Sequence, residues 1–384
     1  MKREAGFTLI EVLVASAVML VIVAALYAAL NDGIHTTEGV ALLADTQQNL
    51  RAGMNYVVRD LVQAGEGIPQ GGITIPNSGG ASPVSSVNRP LPPGSSPATF
   101  PTSWTVLPAI SPGYQNGLPV VTPDPVTRGA TVTGTPSDLL NVMYADSTLI
   151  DANGHWLNEF PIYLDPSGGT AGCAAGNPNP RPAGSITTAG SSTTINFDPS
   201  CITIGTSNSA IHVGDLIMLQ SNSGAIALMT ATGVSGNSVT FSSGDAFNLN
   251  GTGQPAGTNT QLGSYLTNAI TATRIWMITY YISNADPLRP QLMRQVNLNP
   301  PQVVGDVIEN FSLLYDCVVP GSSPPTVTTN ITSPTVAQLP YIRDVYVSLY
   351  ARSENPYSQN GAYFRNNLVT AVSIRSLNFF NEFR

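Results

Sequence analysis

The first 32 residues, MKREAGFTLIEVLVASAVMLVIVAALYAALND, contain the segment that decides the fold of this chain. Residues 12–30 carry no charged side chain. As an α-helix they would be about 28 Å long, which nearly matches the hydrocarbon thickness of a bilayer. A single acid, Glu11, stands at the start of this run, and burying its carboxylate in hydrocarbon costs several kcal/mol unless it finds a partner. The segment therefore predicts a helix that is long and apolar enough to span a membrane, and whose one acid has a specific partner.

Two basic residues, Lys2 and Arg3, stand before the apolar run. Because positive charge accumulates on the cytoplasmic side of a membrane helix, we expect the N-terminus in the cytoplasm and the bulk of the chain outside. An ordinary secretory signal peptide is the alternative, and Ala28-Ala29 could be mistaken for its cleavage site. A cleaved signal peptide would end there, whereas the helical pattern of this chain continues.

An amphipathic stretch follows the apolar run. Its apolar residues recur at steps of seven and four, which places them on one face of a helix that runs to about Ala64. Gly33 and Gly39 each cost about 1 kcal/mol relative to alanine, so we expect the helix to loosen just past the membrane. The stripe consists of Leu43, Leu50, Met54, Val57 and Leu61, and Arg51, Arg59 and Asp60 fall mostly outside it.

The stretch GFTLIEVLVASAVMLVIVAAL, residues 6–26, resembles the class III signal of type IV pilins and of type II secretion pseudopilins. The order Gly-Phe-Thr-Leu-Ile-Glu is the hallmark of that signal. The resemblance implies cleavage between Gly6 and Phe7 by a prepilin peptidase, followed by N-methylation of the new Phe7 amine. It also makes Glu11 the fifth residue of the mature chain.

Glu11 then has a physical role. Water is excluded from a helical filament core, so a buried carboxylate is tolerable there only opposite a positive charge. The free N-terminus of an adjacent subunit supplies this charge, and the Phe7 amine of the same helix lies one turn away and can neutralise Glu11 before assembly. A simple membrane anchor would not require an acid at this position. We therefore interpret Glu11 as the contact that sets the register of assembly.

The middle of the chain is rich in turn residues and short strand patterns. Residues 66–136 are dense in Pro, Gly and Ser and predict a loop region, either a surface insertion partly ordered against a sheet or an exposed recognition loop. Residues 137–270 predict a β-rich insertion that begins with SDLLNVMYAD at residues 137–146. Within it, GDLIML and AIALMTATGV read as a pair of antiparallel strands.

Residues 271–384 predict an antiparallel sheet. TRIWMITYYIS turns through NADPLRP into QLMRQVNL, which indicates a hairpin, and VIENFSLLYDCVV supplies a further strand. In RDVYVSLYAR, Val345, Val347 and Leu349 alternate with polar residues and mark a buried face. The amphipathic half of the helix, residues 43–61, is the expected cover of that face. The predicted fold is therefore α+β, with a long N-terminal helix packed on an antiparallel sheet and a β-rich, loop-rich insertion, which is also the pilin architecture.

Four further patterns resemble, in their order along the chain, the PilW family of minor pilins, which is related to the J-type minor pseudopilins. They are PSDLLNVMYAD, YYI…LMRQV, VVGDVIENFSLLYD and IRDVYVSLYAR. The chain departs from many major pilins because it has no helix-bending proline before Pro69, and it is larger than a typical major pilin. The resemblance implies a tip-located minor pilin that helps to initiate pilus assembly. The alternatives are a J-type pseudopilin of a type II secretion system and a pilus-tip adhesin.

The same resemblance implies partners and a location. The partners are other minor and major pilins, contacted through their N-terminal helices, and the prepilin peptidase/N-methyltransferase. The chain would first span the inner membrane once, with its head in the periplasm, and later lie at the cell surface in the pilus. The predicted organisation is a leader at 1–6, a membrane or filament-core helix at 7–30, its amphipathic half at 31–65, the loop region at 66–136, the insertion at 137–270 and the C-terminal sheet at 271–384.

Composition limits the function classes. An apolar content of 42% and a charged content of 10%, with 35 Gly and 31 Pro, indicate a β-rich domain with long loops. The net charge of −8 becomes −9 when Lys2, Arg3 and Glu4 are removed, which argues against nucleic acid as a partner. Three cysteines allow one disulfide in an exported chain, and Cys173 and Cys201, which bracket a Gly/Pro/Ser-rich loop, are the favoured pair.

The sequence lacks the common motifs of catalysis and cofactor binding, such as a Gly-x-Ser-x-Gly elbow, a His-Glu-x-x-His zinc motif or a phosphate loop. His35, His155 and His212 lack the spacing of metal ligands, and DANGHW from Asp151 does not fill the later ligand positions of a calcium loop. We therefore predict no enzyme, no cofactor and no metal. Two other hypotheses stay open, an adhesin or DNA-uptake receptor, and an anchored periplasmic hydrolase whose nucleophile and base would cluster in the folded head.

Overall fold

The structure is a computed structural model that describes residues 8–69, 71–74, 87–92, 99–101, 104, 106–124, 126–127, 131–146, 162–165, 184–189, 192–197, 211–221, 226–250, 270–319 and 326–376. In chain order the described elements are α1 Leu9–Gln63, β1 Ile73–Thr74, β2 Val106–Leu107, β3 Ile110–Gly113, β4 Pro119–Pro123, β5 Thr131–Pro136, β6 Leu139–Ala145, β7 Ile162–Asp165, β8 Gly184–Ala189, β9 Ser192–Phe197, β10 Leu216–Ser221, β11 Ile226–Thr230, β12 Gly233–Ser235, β13 Ser238–Ser242, β14 Ile270–Ser283, β15 Gln291–Val296, β16 Gln302–Asp306, β17 Ile308–Val319, β18 Thr326–Ile331, a short 3-10 helix at Leu339–Tyr341, β19 Ile342–Arg352 and β20 Arg365–Ser373.

The helix α1 is a single rod of 55 residues, about 82 Å long at 1.5 Å per residue. It contains no proline and ends where Ala64 leaves the helical conformation and Gly65 adopts a φ of +80°. The prediction that α1 loosens at Gly33 and Gly39 is wrong, because the helix continues through both residues. The penalty of about 1 kcal/mol per glycine is small beside the hydrogen bonds of an uninterrupted helix, and Gly39 also packs against the β-rich part of the chain, which we call the head.

The predicted apolar stripe is largely confirmed. Its last four residues, from Leu50 to Leu61, are buried in the core cluster. Leu43 is an error of the prediction, because 39% of it remains exposed and the first buried residue of α1 is Thr46. Asp60 is the second error, because its side chain is fully buried rather than outside the stripe.

The long strand β14 organises the larger sheet. One edge of β14 pairs with β10 and β15, and the other edge pairs with β6 and β7, in each case antiparallel. Twelve of the described strands join this sheet, which combines the predicted insertion with the first hairpin of the C-terminal region. The pairing of β10 with β11 and the β14–β15 hairpin confirm the strand pairs expected from the sequence.

The remaining C-terminal strands form a separate sheet in the order β18–β17–β19–β20. The prediction of one sheet over residues 271–384 is therefore wrong. The chain changes sheets at Val307, which separates β16 from β17 and has a φ of +52° that a continuous strand cannot contain. The predicted inner face of β19 is confirmed, because Val345, Val347 and Leu349 are all 0% exposed.

The second half of α1 packs where the two sheets meet, in contact with β6 and β16 of the larger sheet and β19 and β20 of the smaller one. Gly53 allows this close approach, because a Cβ there would lie 3.0 Å from Leu292 Cδ2 and 3.4 Å from Leu349 Cδ1. The fold is α+β, as predicted, with a long N-terminal helix, antiparallel sheets and a β-rich insertion. The described part of the predicted loop region contains β1 to β5, of which β3 pairs with β6.

Candidate functional site

The first turn of α1 is closed by a capping box between Thr8 and Glu11. The backbone N–H and the hydroxyl of Thr8 each donate to Glu11 Oε2 at 2.9 Å, and the Glu11 backbone N–H donates to Thr8 Oγ1 at 3.4 Å. These bonds satisfy donors that a helix start otherwise leaves open. This cap was not predicted from the sequence, although Thr-x-x-Glu directly before an apolar run is its known signature. The cap supplies hydrogen bonds to Glu11 but no positive charge.

The apolar first half of α1 is not covered by the head. Residues 9–34 are exposed throughout, a stretch of about 39 Å at 1.5 Å per residue. Within the described residues, α1 is the one helix that is long and apolar enough to cross a membrane. Its large apolar side chains, such as Leu9, Leu20 and Leu30, are exposed, and a soluble monomer rarely leaves such a continuous apolar surface in water. The helix is therefore consistent with a single-pass membrane anchor.

The predicted processing residues and the predicted disulfide lie outside the described part of the chain. Gly6 and Phe7 precede the first described residue, and Cys173 and Cys201 lie in stretches that the structure does not describe. The cleavage site, the methylated amine and the disulfide therefore stay predictions. Glu11 is described, and it stands at the capped start of the uncovered helix.

Residues 1–27 match the family model of the prokaryotic N-terminal methylation motif. The chain carries a prepilin-type N-terminus. This finding supports a precursor of the type IV pilin or pseudopilin type and implies processing by a prepilin peptidase. No curated protein and no solved structure matches the chain significantly.

A buried charge fixes the far end of the prepilin-type helix to the head. The Asp60 side chain is fully buried, and Arg294 Nε on β15 donates to its Oδ2 at 2.6 Å. The Tyr280 hydroxyl on β14 donates to the same oxygen at 2.5 Å. The Tyr144 hydroxyl on β6 and Arg59 Nε each reach Asp60 Oδ1, at 3.4 and 3.3 Å. Three strands of the larger sheet thus converge on one carboxylate of α1.

The pKa values of the residues around Asp60 are shifted by burial and by their contacts with it. Burial alone would lower the pKa of Arg294, but the hydrogen bond and the charge of Asp60 outweigh burial and raise it. Burial, and then the negative charge of Asp60, raise the pKa of Tyr144 to about 12. The same two causes also raise the pKa of Tyr280. Both phenols therefore stay protonated at neutral pH and act as hydrogen-bond donors to the carboxylate.

Among the described residues, a serine, a histidine and an acid meet, but not in the geometry that the hydrolase hypothesis requires. The structure brings His35, Glu38 and Ser358 together, with His35 Nδ1 at 2.9 Å from Ser358 Oγ. Glu38, however, accepts from the Ser358 hydroxyl and approaches the same His35 nitrogen at 3.6 Å, whereas in a triad the acid orients the base through its other nitrogen. His35 lies on α1. No group of three potential metal ligands occurs among the described residues.

A thiol titration would test the predicted disulfide. Cys317 is a free, fully buried thiol, and burial, followed by the charge of Asp316, raises its pKa to about 11. We expect no reaction of Cys317 with an alkylating reagent at pH 8 in the native protein, because the thiolate is rare and shielded. With a Cys173–Cys201 disulfide, unfolding without reductant should release one reactive thiol of the three cysteines, identified by mass spectrometry as Cys317. Alkylation of Cys173 or Cys201 under those conditions would contradict the pairing.

Proposed function

We propose that this chain is a minor type IV pilin of the PilW type. In this role it is processed by a prepilin peptidase and enters the pilus, at or near the tip, where it helps to initiate assembly. The observation that carries the proposal is the combination of a prepilin-type N-terminus with a capped, uncovered apolar helix whose second half is built into a large β-rich head. Such a helix can pass from a bilayer into a filament core without unfolding the head.

The proposed partners and location follow from the same helix. Other minor and major pilins would contact residues 9–34, which the head leaves exposed. Before assembly the chain would span the inner membrane once, with its head in the periplasm, and afterwards it would lie at the cell surface. The chain would act as a structural subunit and not as an enzyme. Nucleic acid is not proposed as a partner, because the net charge after processing would be −9, that is, −8 without Lys2, Arg3 and Glu4.

A J-type pseudopilin of a type II secretion system is the second candidate. The methylation motif supports it equally, because pilins and pseudopilins share that signal. The order of PilW-like patterns and the large head favour the pilus. Neighbouring genes for pilus minor subunits would support the first candidate, and genes for a secretion channel would support the second.

The mature N-terminus provides a direct test of processing. We expect mass spectrometry of the protein purified from its native membrane to find a first residue at Phe7 with one methyl group on its amine. Deletion of the prepilin peptidase should leave residues 1–6 attached in the same preparation. A mature chain that begins at any other residue, for example after Ala29, would contradict the proposal and indicate an ordinary signal peptide.

A further inference from the structure

The loop that connects β19 to β20, residues 353–364, folds back onto α1. Its base is tied by two hydrogen bonds, from the Ser353 backbone N–H to the Phe364 carbonyl at 2.7 Å and from the Phe364 backbone N–H to Ser353 Oγ at 3.1 Å. Arg352 fixes the start of the loop, because its Nη1 donates to the Ser353 carbonyl at 2.7 Å and its guanidinium lies 4.7 Å from the centre of the Tyr363 ring. The loop therefore has a defined shape and is held to the end of β19.

The tip of this loop makes polar contacts with α1. The Ser358 backbone N–H donates to Glu38 Oε1 at 3.1 Å, and the Ser358 hydroxyl donates to Glu38 Oε2. Because the hydroxyl has one proton and gives it to a carboxylate, the contact with His35 at 2.9 Å requires His35 Nδ1 to be the donor. Ser358 thus links two residues on adjacent turns of the helix.

Aromatic side chains complete the contact. The rings of Tyr357 and Phe364 lie 5.3 Å apart and sit against Gly39 of α1. A Cβ at Gly39 would lie 3.5 Å from Tyr357 and 3.6 Å from Phe364, which is ordinary van der Waals distance, so both rings lie close to the helix at this residue. The His35 ring meets Tyr357 edge-on at 6.1 Å. Loop and helix therefore share both polar and apolar contacts over residues 35–39.

The contacts between the loop and residues 35–39 lie at the point where α1 leaves the head. Residues 9–34 are exposed, and His35 is the first residue of the helix that the head partly covers. Residues 33–39 contain Gly33 and Gly39, two of the three glycines of α1, and glycine has the weakest helix propensity of the residues in this proline-free helix. Without an external restraint this would be the point at which a long helix bends or frays most easily.

We propose that residues 353–364 form a clamp loop, a conformational device that keeps α1 helical at Gly33–Gly39 and fixes the direction in which its free half leaves the head. The clamp acts in the isolated chain and does not depend on which filament the chain enters. It makes the free half of α1 and the head one rigid unit. Opening the clamp would turn the glycine pair into a hinge.

Hydrogen exchange of the full chain in detergent micelles tests this device. In the Ser358→Ala variant, which leaves the helix sequence unchanged, and in the Glu38→Ala variant, we expect amides of residues 34–42 to exchange at least ~10-fold faster than in the unmodified protein. Amides of residues 50–63, which the core covers, should keep their rates. Asp32→Ala is the matched control, because it removes an exposed acid that, among the described residues, makes no side-chain contact with the loop, and it should change neither region. Alanine is a good helix former, so faster exchange cannot come from lost propensity.

Three outcomes would overturn the clamp. Unchanged exchange at residues 34–42 in both clamp variants would show that the loop does not hold the helix. Equal acceleration in Asp32→Ala would show that this part of the helix loosens when a residue outside the loop contact is changed. Equal acceleration at residues 50–63 would show that the substitutions destabilise the whole head and do not open a local contact.

Discussion

Replacing Asp60 with alanine is expected to lower the free energy of unfolding by about 3–5 kcal/mol, because it leaves the largely buried Arg294 guanidinium without its counter-charge. Arg294 Nε and Nη2 both donate to Asp60, and the side chain of Arg294 is only 12% exposed, so water cannot replace the lost carboxylate fully. The Tyr280 hydroxyl, which is also buried, loses its acceptor at the same time. The effect should appear as a lower denaturant midpoint of the full chain in detergent, followed by tryptophan fluorescence.

The control for Asp60 is Asp45, an exposed acid on the same helix. Asp45→Ala removes the same charge from α1 and should change the free energy of unfolding by no more than about 0.5 kcal/mol. A similar small effect of Asp60→Ala would contradict the importance of the buried pair. In the double variant Asp60→Leu with Arg294→Met, both charges are replaced by apolar side chains, and much of the lost stability should return. Failure of the double variant to recover would mean that Tyr280 and Tyr144 alone require the carboxylate.

The sequence predicted the helix of this fold well because its signal is repetitive. The apolar residues from Leu50 to Leu61 recur at helical spacing, so they lie on one face of a helix, and the structure buries that face as expected. Asp60 was misplaced because an acid is normally read as solvent-facing, whereas it stands three residues after Val57 and directly before Leu61, within the buried arc. Its partners come from three strands far along the chain, and no local pattern reveals such a convergence.

The sheets were predicted less completely for a related reason. Alternation along β19 identified its buried face correctly, because strand periodicity is a local property. Assignment of strands to sheets is not local. The chain changes sheets at Val307 through a positive φ, which is unusual for a β-branched residue and which no sequence rule would assign there. For the candidate site, the prepilin-type pattern identified Glu11, but the Thr8–Glu11 cap was not predicted, because the long apolar run is a much stronger signal than the four-residue capping pattern before it.

The two acids at opposite ends of α1 differ in one physical respect. Asp60 has its cation within the chain, since Arg294 meets it in the folded head. Glu11 accepts two hydrogen bonds from Thr8, yet no cation approaches it among the described residues. A carboxylate without a cation is stable in water but not in a bilayer or a filament core. We therefore expect Glu11 to meet a positive charge from outside the described structure once its helix leaves water.

Substitution of Glu11 should therefore block entry into filaments. We expect Glu11→Ala to reduce the amount of this chain in sheared filaments by at least ~10-fold, because a buried amino terminus of a neighbouring subunit would lose its counter-charge and one factor of ten corresponds to only about 1.4 kcal/mol. Immunoblots of the sheared fraction and of the membrane fraction would measure it. The membrane fraction should be unchanged and correctly cleaved, because the apolar run that inserts into the bilayer is intact.

Two matched variants separate the charge of Glu11 from its role in the capping box. Glu11→Gln keeps an acceptor for Thr8, since glutamine also serves in a capping box, but it removes the charge. Thr8→Ala removes the hydroxyl of the cap and keeps the charge. If the charge is what assembly requires, Glu11→Gln should fail to enter filaments as Glu11→Ala does, and Thr8→Ala should enter them. The opposite pattern, with Glu11→Gln assembling and Thr8→Ala failing, would assign the acid to the start of its own helix, and normal assembly of Glu11→Ala would remove any role for it.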